Sequence, residues 1–322
     1  MVCSSTRGVV RSLESFTMLY LTLAFGFILL IAGGEMLVRG AVSVAQRFWV
    51  SPMLIGVTLV GFGTSTPELV TSLQAAFDGL PGIAVGNVVG SNIANILLIL
   101  GVAALIVPIA VTRKSFQRDG IALMLATMLC LGVVLWGAMD RWLGAVLVAG
   151  LVGYLVFACL NHEGEDGEAQ GPSPSGWFGA VMLAVAGIEM TIAGAWLAVG
   201  AAVDLAALWG VGETVIGLTV VAIGTSLPEL VTSVVAAWRG QSAIAFGNVV
   251  GSNIYNILGI MGIMALLRPI SVPPQIAVLD IWVMVVATLT MIGLIVMYQR
   301  IGRWAGATLL VAYAAYSFVL LG

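Results

Sequence analysis

The sequence predicts an all-α integral membrane protein: ten transmembrane helices, arranged as two inverted five-helix repeats, with helices 2, 3, 7 and 8 interrupted around an ion site at the midplane. Three observations carry that expectation. Of the 322 residues 61% are apolar and only 8% are charged, too little charge to clothe the surface of a water-soluble domain. About ten apolar segments can be marked off, each near the roughly 20 residues a spanning helix requires. The two halves of the chain also repeat one another.

Taken in order, the segments run at about 17–41, 50–77, 82–107, 120–139, 142–160, 177–203, 211–238, 243–267, 275–298 and 303–321. Arg7 and Arg11 precede the first run as in a signal peptide. That run is too long, and no small-residue cleavage site precedes Glu35, so a retained first helix is expected. Cys3, Cys130 and Cys159 lie far apart and read as small apolar fillers, while the sole histidine, His162, falls in a polar loop. Zinc or copper therefore has no ligand set, and no cofactor is expected. A net charge of −3 without a basic patch offers nothing to nucleic acid. An intramembrane enzyme would need a Ser/His pair, paired catalytic aspartates or an HExxH motif, and none occurs.

Val50–Gly101 aligns with Val211–Gly262 without a gap, and roughly six in ten positions are identical. Glu68 falls on Glu229, Asn95 on Asn256, and beyond the block Asp119 falls on Asp280. "RWLGA" at Arg141 matches "RWAGA" at Arg303, and "GGEMLVRGA" at Gly33 resembles "GIEMTIAGA" at Gly187. Residues 1–160 therefore read as the first five-helix repeat with an N-terminal extension, and 177–322 as the second. An odd number of helices per repeat inverts the second copy, a common plan in secondary transporters. Between them 161–176, "NHEGEDGEAQGPSPSG", reads as an acidic, flexible linker. If both termini lie outside, the inner loops and helix ends hold Arg39, Arg47, Arg113, Lys114, Arg118, Arg239, Arg300 and Arg303. Only Arg7, Arg11, Arg141 and Arg268 then lie outside, so external termini and a cytoplasmic linker are expected.

The repeats carry two polar motifs in apolar surroundings: "GTSTPELVTS" at Gly63 with "GTSLPELVTS" at Gly224, and "GNVVGSNIAN" at Gly86 with "GNVVGSNIYN" at Gly247. Pro67 and Pro228 lack an N–H and clash with the preceding turn, freeing carbonyls around Gly61–Thr64 and Ala222–Thr225. In lipid such carbonyls are tolerated only where they face protein, water or an ion. Ser65 and Ser226 stand three residues before Glu68 and Glu229, in the order of a capping box, so each Glu could serve only as a helix cap. Against that, an acid at mid-bilayer costs about 2.5–3.5 kcal/mol, and Gln would cap more cheaply. Two acids at equivalent, inverted positions read better as cation ligands. Ser91, Asn92, Asn95, Ser252, Asn253 and Asn256 add neutral oxygens, although they also suit packing of helices brought close by glycine. Carboxylate, carbonyl, amide and hydroxyl oxygens together suit calcium better than magnesium. Arranged as smaller sites, they would hold sodium.

The doubled motifs resemble the paired alpha repeats of the calcium/cation antiporters, specifically the sodium/calcium exchanger branch, over nearly the whole chain. The resemblance implies a secondary active antiporter that exchanges sodium for calcium by alternating access, electrogenic at three sodium ions to one calcium. It implies Glu68 and Glu229 as central calcium ligands, completed by the carbonyls of Thr64 and Thr225. It further implies sodium sites near Gly61, Thr64, Glu68 and Ser91 and near Ala222, Thr225, Glu229 and Ser252, with Asn95 and Asn256 lining the centre. The first and sixth helices would slide over the other eight, and Glu35 and Glu189 would be interfacial. The small-residue faces Gly33/Gly40 and Gly187/Gly194 fit that sliding and fit tight packing equally. A prokaryotic plasma (inner) membrane, a functional monomer, and calcium, sodium and lipid as the only partners follow. The rival reading is a proton-coupled exchanger of calcium or another divalent cation. Asn256 departs from the Asp common in archaeal and potassium-dependent members, which removes a third carboxylate and the case for a potassium site.

Overall fold

The computed structural model describes residues 2–111, 113–161, 176–210 and 222–321. All but the two end residues of the expected linker, and the first part of the seventh segment, 211–221, lie outside the described residues, as do the side chains of Arg7 and Arg11. Helices account for almost all of the rest. They are α1 (Val2–Phe48), α2a (Pro52–Thr64), α2b (Thr66–Phe77), α3 (Pro81–Ile106), α4 (Arg113–Trp136), α5 (Arg141–Leu160), α6 (Trp177–Leu208), α7a (Ala222–Thr225), α7b (Leu227–Trp238), α8 (Ser242–Leu267), α9 (Ile276–Tyr298) and α10 (Arg303–Leu321). Among the described residues eight helices are long and apolar enough to cross a membrane, and α2a with α2b makes a ninth, bent span. Together with the lipid-facing Trp, Phe and Leu side chains this makes the chain an integral, multi-pass membrane protein.

The breaks fall where the chemistry requires them in one helix pair and not in the other. α2a and α2b meet at Ser65 with a 45° bend, immediately before Pro67. Ser226 likewise separates α7a from α7b before Pro228. Helices α3 and α8, expected to be interrupted, run through without a break. Neither holds an internal proline, and each instead widens into a π-helical stretch, Asn95–Ile99 in α3 and Tyr255–Met261 in α8. A π turn re-aims side chains while the backbone stays hydrogen-bonded, so it serves a polar site at lower cost than a break. The first helix also exceeds its expected end, because no breaker intervenes before Trp49, where φ turns positive at 54°.

Packing repeats with the sequence. The face of α2a bearing Gly56 and Gly61 lies on the face of α8 bearing Gly247 and Gly251. α2b packs on α3 and α7b on α8, while α3 packs on α10 and α8 on α5. Tyr154 donates to Asp119 at 2.9 Å, and at the equivalent place Tyr316 donates to Asp280 at 2.9 Å. At Gly79 and Gly240, with φ of 75° and 74°, the chain turns out of α2b and α7b; the next amides reach back to Ala75 and Ala236. Four two-residue strands close the ends of the bundle: β1 (Ile109–Ala110) pairs antiparallel with β4 (Arg300–Ile301), and β2 (Ala138–Met139) with β3 (Ile270–Ser271).

Gly33 and Gly40 of α1 meet α6 backbone at Thr191 and Ala184, and Gly187 and Gly194 meet α1 at Leu37 and Leu30. A methyl group at any of the four would fall within 2.7 Å of a backbone nitrogen. These small-residue faces are therefore spent on holding α1 and α6 together, not on a sliding surface against the other helices.

Candidate cation site

The bend before Pro67 turns α2b so that Glu68, in its first turn, points inward; Pro228 does the same for Glu229. Both carboxylates are 1% exposed. The hydroxyls that the sequence placed as caps do something else. Ser65 Oγ donates to Glu229 Oε1 at 2.8 Å, and Ser226 Oγ donates to Glu68 Oε1 at 3.1 Å. Each bond crosses from one repeat to the other, and neither serine caps its own helix. Each serine thus serves the acid of the opposite repeat rather than its own helix end.

The GN motif supplies a frame. Asn87 Nδ2 donates to Ser72 Oγ at 2.8 Å and to the Glu68 carbonyl at 3.2 Å. Asn248 Nδ2 repeats both bonds, to Ser233 Oγ at 2.8 Å and the Glu229 carbonyl at 3.2 Å. Thr64 Oγ1 lies 3.2 Å from Asn248 Oδ1 and also against Glu229. Neither Asn87 nor Asn248 was singled out from the sequence. Their shared spacing from the two acids was the available signal.

The carbonyl of Gly61 also takes a contact from across the repeat boundary: Ser252 Oγ donates to it at 3.2 Å. The glycines on α2a and α8 cause this, because they let the two backbones touch, and Gly61 then faces the other repeat. Ser91 is buried at the equivalent place on α3, and Thr225 is half-buried at the end of α7a. Ala222 opens α7a, and its side chain lies outside the described residues.

Asn95 and Asn256 close the centre from α3 and α8. Asn95 Nδ2 donates to Asn253 Oδ1 at 3.1 Å. Glu68 Oε2, Glu229 Oε2, Asn95 Oδ1 and Asn256 Oδ1 are buried acceptors with no hydrogen-bond partner. An orphaned neutral acceptor costs about 1–3 kcal/mol and a carboxylate oxygen more, so four in one region mark a place built for something positive. Glu35 lies outside this set: it pairs with Arg39 and Arg239 at the bundle edge, while Glu189 is exposed.

Buried, unpartnered oxygens within a bundle of membrane-spanning helices are what an ion-carrying membrane protein requires. The family described as sodium/calcium exchanger protein matches residues 18–160 and 178–322. CaxA of Alkalimonas amylolytica, which carries an antiporter name, is 37% identical over 92% of this chain and 96% of its own. The sodium/calcium exchanger MaX1 of Methanosarcina acetivorans is 32% identical over 94% of this chain and 99% of its own. Among solved structures, the sodium-calcium exchanger NCX_Mj soaked with zero sodium and calcium is similar at a TM-score of 0.83 and 32% identity, covering 94% of this chain and 99% of that one. The chain belongs to the sodium/calcium exchanger family, and so to the membrane cation antiporters.

Proposed function

We propose that this protein exchanges sodium for calcium across a prokaryotic plasma (inner) membrane by alternating access, at three sodium ions to one calcium, as a monomer with both termini outside. The observation that carries the reading is the set of four unpartnered buried oxygens, Glu68 Oε2, Glu229 Oε2, Asn95 Oδ1 and Asn256 Oδ1. Calcium takes six to eight such oxygens in flexible geometry, and two carboxylates neutralise one divalent charge. Water arriving with the ion would meet the leftover donors, Asn253 Nδ2 and Asn256 Nδ2. The carbonyls of Thr64 and Thr225 complete the calcium shell. Gly61 with Ser252, and Ala222 with Ser91, supply the flanking sodium positions across the repeat boundary.

Ten crossings and an inverted second repeat are supported by the strand pairs. β1 joins α3 to α4 and pairs with β4, which joins α9 to α10. β2 joins α4 to α5 and pairs with β3, which joins α8 to α9. In an inverted pair of five-helix units these connections share a membrane face two by two, whereas in a parallel pair they would lie on opposite faces. Calcium-45 uptake into proteoliposomes loaded with sodium tests the function. Uptake is expected with a sodium gradient and not with a proton gradient alone. Uptake driven only by protons, or by neither gradient, would overturn sodium coupling.

A further inference from the structure

Glu35 sits in the apolar stretch of α1, where an acid needs a reason. The Arg239 side chain, at the C-terminal end of α7b, grips it with a two-pronged contact: Nη2 lies 2.5 Å from Oε1 and Nε 2.8 Å from Oε2. Arg39, one turn on in α1, holds the same carboxylate. Around this point α1 packs against α7b, where Gly34 admits Val231 and Thr232. Two to three turns away toward the α1 N-terminus the contact is apolar, with Leu23 and Leu30 of α1 packed with Leu227 and Val231 of α7b. There a cavity of about 240 Å³ lies between α1, α6 and α7, lined by Leu23, Phe27, Ala198, Val199, Ile223 and Leu227 among others. α6 makes no comparable contact with α2b, the equivalent of α7b. The α1–α6 pair is thus tied to α7b by charge at one end and by apolar packing around a pocket at the other.

The repeats break their symmetry at this contact. Glu35 aligns with Glu189, but Arg239 aligns with Asp78 and Arg39 with Ala193. If α1 and α6 exchange roles in the opposite access state, Glu189 would come to α2b and find a carboxylate where Glu35 finds a guanidinium. Arg268 lies near that end but is bonded to the Phe77 carbonyl.

We propose that Glu35 and Arg239 are positioning residues for exchange: a latch that holds α1 and α6 on α7b in one access state, with no counterpart in the other. The proposal rests on the alternating-access reading above. It makes the latched state the resting state, and each cycle must break a two-pronged ion pair.

The test is a distance distribution between nitroxides at Phe178 and Gln241, measured by pulsed electron resonance in lipid nanodiscs on a chain whose three cysteines are replaced. Phe178 opens α6 and is exposed, and Gln241 precedes α8 at the Arg239 end. The parent should show one dominant short distance. Arg239→Ala should raise the population of a longer distance by about two- to fivefold, the range an exposed ion pair commands. Arg239→Lys, a point charge in place of a fork, should fall between. Asp78→Arg should raise the same population by giving Glu189 a partner. If Arg239→Ala and Asp78→Arg both leave the distribution unchanged, the latch is wrong; if Arg239→Ala cannot be isolated folded, Asp78→Arg decides alone. A parent that carries no calcium yet shows these shifts would overturn the transport reading and leave the latch. A parent that exchanges ions with no shift in either variant does the reverse.

Discussion

Gly251→Ala is the sharpest packing test of how the site is assembled. A methyl group built there lies 2.1 Å from the Val57 carbonyl oxygen and 2.5 Å from Val57 Cα, both backbone. An ordinary carbon–oxygen contact needs about 3.3 Å, so α8 and α2a must part by about 1.2 Å. Ser252 is the next residue, and its 3.2 Å bond to the Gly61 carbonyl cannot survive that displacement. Overpacking of this kind costs about 1–3 kcal/mol. At about 2–4 °C per kcal/mol for a chain near this size, the melting point should fall by about 2–12 °C. Sodium-driven calcium uptake should fall further than stability does, because the displaced pair lines the site. The assay is thermal melting of the purified protein alongside uptake in proteoliposomes. Gly132→Ala is the control: nothing lies within 4 Å of a methyl group there, so stability should hold or rise slightly. A Gly251→Ala protein that melts and transports like the parent would refute the close crossing of α2a and α8.

Three other expectations follow from particular contacts. Ser65→Ala should weaken transport through Glu229, and Ser226→Ala through Glu68; in a double-mutant cycle on thermal stability, Ser65→Ala should couple to Glu229→Gln by about 1.5–3 kcal/mol and to Glu68→Gln far less, the reverse pattern restoring the capping box. Exchange should be electrogenic, since three sodium ions leave one charge uncompensated at about 2.3 kcal/mol per 100 mV; clamping the potential with valinomycin should change the rate, and Asn256→Asp should create a potassium or proton dependence that the parent lacks. Asp140 caps α5 through the Leu143 amide at 2.8 Å, so Asp140→Ala should cost about 1 kcal/mol in thermal stability and leave calcium affinity unchanged.

The sequence made the repeat, the bend and the acids legible because each violates a local rule. Proline and glutamate in an apolar run need a reason, and their recurrence supplied one. Positions that obey local rules were silent. Nothing in "GTSTPEL" tells that Ser65 serves the acid of the other repeat, because that contact depends on how two bent helices cross. The capping-box spacing even pointed the wrong way. Asn87 and Asn248 look like neighbours of packing glycines until α2b and α7b are laid beside them. The π stretches at Asn95 and Tyr255 have no sequence signature comparable to proline, so two continuous helices were read as broken. Glu35 was read only as interfacial, because its partner Arg239 lies 204 residues away.

The central claim is that Glu68 and Glu229 share one cation. Its most direct test is equilibrium binding of calcium-45 to the purified protein, with Glu68→Gln, Glu229→Gln and the double variant measured beside the parent. The parent should bind calcium in competition with sodium, and either single substitution should abolish both binding and calcium uptake while the protein stays folded in the membrane. The amide keeps the shape of the side chain and removes half of the charge facing the ion. Undiminished calcium binding by the double variant would contradict the two-carboxylate site.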